Sequence, residues 1–147
     1  TQGVSSAASD VYKRQDYQQL AVIRQMVADL AFPIEILGGS IVREADGLAM
    51  SSRNQYLSAD DRPISAQIRK VLLQMRDSHA AGVPRLQVEA AATQALEAVG
   101  FRVDYTALRL PDLSEPDDGA SNPAAGPRVA LIAARIGSTR LIDNLEF

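Results

Sequence analysis

A single helix-then-strand unit, followed by helices and then by strands, limits the folds open to this chain. After Asp16, apolar residues recur at helical spacing on one face: Leu20, Ile23, Met26, Val27 and Leu30. Asp16 is a suitable N-cap, and Pro33 ends the helix. Residues 34–37 predict a short strand that stops at the pair Gly38-Gly39. A helix followed directly by a short apolar strand is one half-unit of an α/β sheet.

The middle of the chain predicts two helices. The first opens at Ser58, with Pro63 one turn in, and it ends at Gly82. Its predicted buried face is Ile64, Ile68, Val71, Leu72 and Met75. The second helix is alanine-rich, covers about 86–99 and stops at Gly100.

The last third predicts strands over 101–110, 128–136 and 140–147, with a turn-rich connection over 111–127. Partial alternation in the first strand places Val103, Tyr105 and Ala107 on one face. Helices followed by strands are typical of an α+β module, here two helices on an antiparallel sheet of about three strands.

Composition excludes several classes of site. The 147 residues include no cysteine and one histidine, His79, so a disulfide scaffold, a thiol nucleophile and a His-rich metal cluster are excluded. We expect His79 to be a surface residue near a helix end. No apolar run approaches the ~20 residues of a membrane span. The net charge of −3 and an aromatic share of 5% argue against nucleic-acid binding.

Two groups of polar residues could bind a ligand. Ser51, Ser52, Arg53 and Asn54 precede a helix and could donate hydrogen bonds to phosphate oxygens, although such residues are also common in ordinary loops. Asp16 and Gln19 share the first turn of the first helix. They could bind ribose hydroxyls and a small hydroxy acid, or they could be an N-cap and a solvated side chain.

Three strings of this sequence resemble one family: DYQQLAVIRQMVADL, then PIEILGGSIVREADGLAMSSRNQYLS, and finally RVALIAARIGSTRLIDNLEF. Together they resemble the pantoate–β-alanine ligases over Asp16 to Phe147, about the second half of a family member. The family joins pantoate to β-alanine through a pantoyl-adenylate, using Mg-ATP and releasing pyrophosphate and AMP. Its members are cytoplasmic homodimers, so the resemblance implies ATP and Mg²⁺, these two substrates and a cytoplasmic homodimer.

The resemblance also implies an α/β fold. Residues 16–41 would be the C-terminal remnant of a Rossmann-like nucleotidylyltransferase domain, and 42–147 would be the small α+β lid domain. Residues 1–15 match nothing in the family, and we interpret them as a disordered or foreign leader.

Seven positions match functional positions of the family. Asp16 matches the acidic end of a Gly-x-Lys-Asp motif that contacts ATP, and Gln19 matches a pantoate-binding glutamine. Val42 matches an ATP-contacting backbone position. The family's flexible loop that closes on the triphosphate corresponds in this sequence to Met50, Ser51, Ser52 and Arg53.

The sequence departs from the family's motifs in two places, and two hypotheses about its function stay open. The His-x-Gly-His motif, which assists adenylate formation, is absent, and Gln15 stands where the motif lysine belongs. The first hypothesis is the C-terminal half of a ligase, inactive alone. The alternative is a free-standing lid or binding module with weak nucleotide or partner binding.

Overall fold

The computed structural model describes residues 9–13, 16–117 and 126–147. The chain divides into two compact units, Thr1–Ile41 and Val42–Phe147, each of which is described by itself. Within these ranges, no helix is both long enough and apolar enough to cross a membrane.

The first unit contains one helix and two strands: β1 is Ser9–Lys13, α1 is Tyr17–Asp29 and β2 is Glu35–Gly39. The helix confirms the prediction, and the Asp16 carboxylate caps it by accepting from the Gln19 N–H at 3.1 Å. β2 ends at Gly39, in the glycine pair where the strand was predicted to stop. One expectation is wrong: β1 lies where no element was expected, because its parallel pairing with β2 is non-local. The rest of the expected leader, 1–8 and 14–15, lies outside the described residues.

The predicted apolar face of α1 is only partly buried. Tyr17 and Leu20 are the buried residues of this helix, Ile23 and Val27 are partly buried, and Met26 is exposed. Among the described side chains of this unit, the exposed large apolar ones are Val22, Met26, Leu30, Phe32 and Leu37. Hydrophobic surface in contact with water contributes little to stability, so α1 gains less from burial than its sequence pattern predicts.

The second unit is an α+β module, as the sequence predicts. It contains a 3₁₀ turn at Ser52–Tyr56, helices α2 (Asp61–Ser65), α3 (Gln67–Ala80) and α4 (Arg85–Glu97), and strands β3 (Arg102–Arg109), β4 (Val129–Ile136) and β5 (Thr139–Glu146). The strands form an antiparallel sheet in the order β3-β4-β5. The helix predicted to open at Ser58 is split in two at Ala66.

One core fills the space between α3, α4 and the sheet. Its members are Ile68, Val71, Leu72, Met75, Val88, Ala92, Leu96, Phe101, Leu108, Ala130, Ile132, Ala134, Ile136 and Leu141. Leu72 and Leu96 are fully buried. This core confirms four of the five residues predicted for the buried face of the first lid helix; the fifth, Ile64, packs against the cluster while partly exposed.

A β-bulge changes the predicted faces of β3. The register shifts between Val103 and Tyr105, which leaves Asp104 as the extra residue. Val103 therefore packs against the helix-facing core, whereas Tyr105 and Ala107 do not belong to it. The expectation that these three share one face is wrong, because a bulge interrupts the two-residue period.

His79 is buried, which also differs from the expectation of a surface residue. It is 5% exposed in the last turn of α3, and its ring meets that of Phe147 edge-on at 6.0 Å between centroids. The helix directs the His79 side chain toward Phe147, just beyond the end of β5. This orientation cannot be predicted from one isolated histidine in the sequence.

Candidate functional site

A tight turn over 43–49 precedes the polar loop. The Glu44 N–H donates to the Leu48 carbonyl at 2.8 Å, and the Met50 N–H donates to the Val42 carbonyl at 2.9 Å. Gly47 has a φ of +90°, and a Cβ at this position would lie 3.2 Å from Cγ of Arg69 on α3. The left-handed backbone therefore favours glycine, and a side chain here would also crowd the stem of Arg69.

Two ion pairs hold this turn. Arg43 donates to both carboxylate oxygens of Asp143 on β5, at 2.7 and 3.0 Å. Asp46 accepts from Arg62 on α2 and from the Leu48 N–H. The hydrogen bond from Arg62, with help from the Leu48 N–H, holds the pKa of Asp46 below its usual range.

The loop predicted to bind phosphate leaves this anchored turn and is exposed. Met50 is 49% exposed, and Ser52 and Arg53 are also exposed. Ser51 begins the 3₁₀ turn, and its Oγ accepts from the Arg53 N–H at 3.2 Å. Among the residues that the structure describes, the Arg53 guanidinium has no ion-pair partner. The loop thus presents a hydroxyl and a free permanent charge to solvent, a suitable donor set for a polyphosphate.

Asn54 differs from its three polar neighbours. Its Nδ2 donates inward to the Ala49 carbonyl at 3.1 Å, and its backbone N–H donates to the Ser51 carbonyl at 3.0 Å. The side chain therefore closes the base of the loop and is not presented to solvent together with Arg53.

Val42 is placed at the same base. Its side chain is 65% exposed, and its carbonyl is occupied by the Met50 N–H. The structure thus brings Val42 together with the residues 50–53 of the loop.

Asp16 and Gln19 lie in the other unit, in the first turn of α1. Both are exposed, and the hydrogen bond of the N-cap occupies Oδ1 of Asp16. The structure therefore places the seven predicted residues in two groups, one in each unit.

Neither a metal-ligand group nor a neighbouring groove adds residues to the predicted site. In the ranges described, no group of three or more His, Asp or Glu side chains could hold a metal ion. A groove of about 310 Å³ lies between α3 and α4, and none of the predicted site residues lines it.

Comparison with known proteins decides the family. The family model described as pantoate-beta-alanine ligase matches residues 5–146. This chain belongs to the pantoate-beta-alanine ligase family. The match begins ahead of Asp16, so the family likeness reaches further toward the N-terminus than the sequence analysis expected.

The curated relatives are longer than this chain. The chain is 97% identical over 136 residues to a pantothenate synthetase of Xanthomonas campestris pv. campestris, and 80% identical to that of Xanthomonas euvesicatoria pv. vesicatoria. These matches cover 92% of this chain but only 48% and 47% of the relatives. The chain therefore spans about half the length of the curated relatives it matches.

Solved structures show the same relation. The pantothenate synthetase of Thermus thermophilus is 40% identical, with a TM-score of 0.82 over 93% of this chain and 49% of that one. A pantoate-beta-alanine ligase from Francisella tularensis, complexed with beta-gamma ATP and beta-alanine, is 25% identical, with a TM-score of 0.64. These likenesses confirm the predicted fold class.

Arg43 and Asp143 were not predicted as site residues, although both lie in strings that resemble the family. The two residues lie 100 positions apart in the sequence, and nothing in either string indicates that they pair. Only the fold brings them together.

Proposed function

We propose that this chain is the C-terminal half of an enzyme that joins pantoate to β-alanine in two steps. ATP first converts pantoate to pantoyl-adenylate with release of pyrophosphate, and the amine of β-alanine then displaces AMP. The observation that carries the proposal is the exposed loop 50–53 on an anchored turn, in a chain of the ligase family. The Francisella tularensis relative in complex with an ATP species and β-alanine supports the choice of ligands.

The loop would act on the triphosphate. Arg53 carries a permanent charge and several donors, and the Ser52 hydroxyl adds another. When adenylation breaks the bond between the α- and β-phosphates, negative charge grows on the departing pyrophosphate. Donors directed at this charge stabilise the transition state more than the bound ATP, and this difference raises the rate. Met50, Ser51 and the Val42 backbone would complete the ATP contacts.

The first turn of α1 would hold the other reacting parts. Oδ1 of Asp16 accepts the N-cap hydrogen bond, and the second carboxylate oxygen can accept from a ribose hydroxyl. The exposed Gln19 amide can bind the hydroxy acid pantoate. Fixing both substrates makes adenylation effectively intramolecular.

The chain alone would not complete the reaction, because the His-x-Gly-His motif is absent from its sequence. We propose that the complete enzyme is a cytoplasmic homodimer that uses Mg-ATP, with Mg²⁺ held largely by the nucleotide phosphates. The alternative function is a free-standing lid module, which the self-contained core of the second unit favours.

A hybrid ligase tests the proposal. Residues 16–147 of this chain replace the matching part of the Xanthomonas campestris relative, and AMP formation is measured with ATP, pantoate and β-alanine. We expect activity in the hybrid, none in the 147-residue chain, and a loss of about 100-fold or more in kcat/KM for ATP on Arg53→Ala. Gln55→Ala, an exposed neighbour outside the predicted site, is the matched control. An inactive hybrid would contradict the ligase proposal and leave the module. An active hybrid with unchanged ATP kinetics on Arg53→Ala would contradict only the role proposed for the loop.

A further inference from the structure

The ion pair between Arg43 and Asp143 is shielded from solvent. The Asp143 side chain is 4% exposed and that of Arg43 is 19% exposed. The guanidinium donates to both carboxylate oxygens, and the Asn144 N–H donates to Oδ1 of Asp143 at 2.8 Å. A bidentate pair of this kind fixes the mutual orientation of its two groups as well as their distance.

Arg43 also belongs to the turn that carries the polar loop. Its Nη1 donates to the Gly47 carbonyl at 3.0 Å, and residue 43 forms an isolated antiparallel bridge with Ala49. The loop begins one residue later, at Met50. The guanidinium of Arg43 therefore joins Gly47 of the turn to the last strand of the sheet, and the backbone of the same residue pairs with the other end of the turn at Ala49.

Two further contacts of the turn are with helices. Asp46 pairs with Arg62 on α2 at a site that is about one-third exposed on both sides, and Gly47 packs against the aliphatic stem of Arg69. Exposed pairs contribute little to rigidity or stability. The shielded pair with β5 is thus the strongest polar restraint on the base of the loop.

We propose that Arg43 and Asp143 are positioning residues that hold the loop 50–53 where it meets the triphosphate. The inference rests on the proposed function. A loop whose base is fixed loses less conformational freedom when it closes on a ligand, so a larger share of its contact energy serves binding. A displacement of about 1 Å at such a site can lower the rate by about 100-fold. Neither residue is among the predicted nucleotide contacts.

The test is a double-mutant cycle in the active hybrid ligase, with Arg43→Gln and Arg53→Ala made singly and together. We expect Arg43→Gln to lower kcat/KM for ATP by about 10- to 100-fold and to leave KM for β-alanine unchanged. In the Arg53→Ala background, Arg43→Gln should lower kcat/KM for ATP by less than about a further threefold, because the Arg53 side chain that Arg43 positions has been removed.

The control is Asp104→Asn, which breaks the Asp104–Arg140 pair on the same sheet and should leave kcat/KM for ATP unchanged. If Arg43→Gln does not yield folded protein, Arg43→Lys keeps the charge but loses the bidentate geometry, and it should still lower kcat/KM for ATP.

The inference is overturned if the Arg43→Gln and Arg53→Ala effects on kcat/KM for ATP are independent, so that the double variant shows their product. It is also overturned if a folded Arg43 variant has unchanged ATP kinetics. An Arg53→Ala variant with normal ATP kinetics would instead overturn the proposed role of the loop, and an inactive hybrid the proposed function itself. Either result would remove the basis of the inference.

Discussion

The two units of this chain use similar amphipathic helices with opposite results. In the unit Val42–Phe147, α3 buries Ile68, Val71, Leu72 and Met75 against the sheet. In the unit Thr1–Ile41, α1 buries only Tyr17 and Leu20 and leaves Val22, Met26 and Leu30 exposed. A helical period predicts the helix in both cases, but stability comes from what the apolar face packs against. The core of the second unit buries four residues of α3, whereas the first unit buries two residues of α1.

The largest expected effect is on the free energy of unfolding, and it distinguishes a buried residue of the second unit from an exposed residue of the first. Leu72→Ala removes a fully buried side chain and should lower the free energy of unfolding by about 2–5 kcal/mol. Met26→Ala removes a side chain that is 48% exposed and should change it by less than about 1 kcal/mol. Urea unfolding of the 147-residue chain measures both. Equal losses would mean that α1 is packed as firmly as α3.

A smaller effect concerns the N-cap of α1. Asp16→Ala removes the acceptor of the Gln19 N–H and should destabilise this helix by about 1 kcal/mol. Because α1 contributes little to the main core, helical circular dichroism should fall while the midpoint of cooperative unfolding stays unchanged. Asp16→Asn, which also caps well, is the control and should preserve the signal. A shift of the midpoint would show that the two units unfold as one.

The smallest effect is a pH dependence within the second unit. Arg62 lowers the pKa of Asp46, so the folded chain binds this proton less readily than the unfolded chain does. The stabilisation is present above about pH 4 and is lost as the pH falls through the lowered pKa. Asp46→Asn should therefore make the decline of Tm below pH 4 shallower.

Asp60→Asn is the control for this measurement, because Asp60 is exposed and forms no ion pair in the described part of the chain. It should leave the acid profile of Tm unchanged. An Asp46→Asn profile that matches the wild-type curve would contradict a role for the Asp46–Arg62 pair.

Local patterns predicted most of the second unit. Glycine stops at Gly82 and Gly100 fall just after the ends of α3 and α4, and the three strands of the sheet begin and end within about one residue of their predicted bounds. These elements were predictable because helical and strand periods are written in neighbouring residues.

Features that depend on distant partners were not predictable. The pairing of β1 with β2, the bulge at Asp104 and the burial of His79 each require knowledge of what lies opposite in space. The same holds for the Arg43–Asp143 pair at the base of the loop, whereas the exposed loop itself was identified from its residue types and from the family resemblance.

Amide hydrogen exchange on the intact 147-residue chain tests the contrast between the units most directly. We expect amides of β4 and α3 to exchange only through global unfolding, with α1 exchanging orders of magnitude faster through local opening. Protection of residues 17–29 equal to that of β4 would contradict the account, because it would show that the first unit has a complete core of its own.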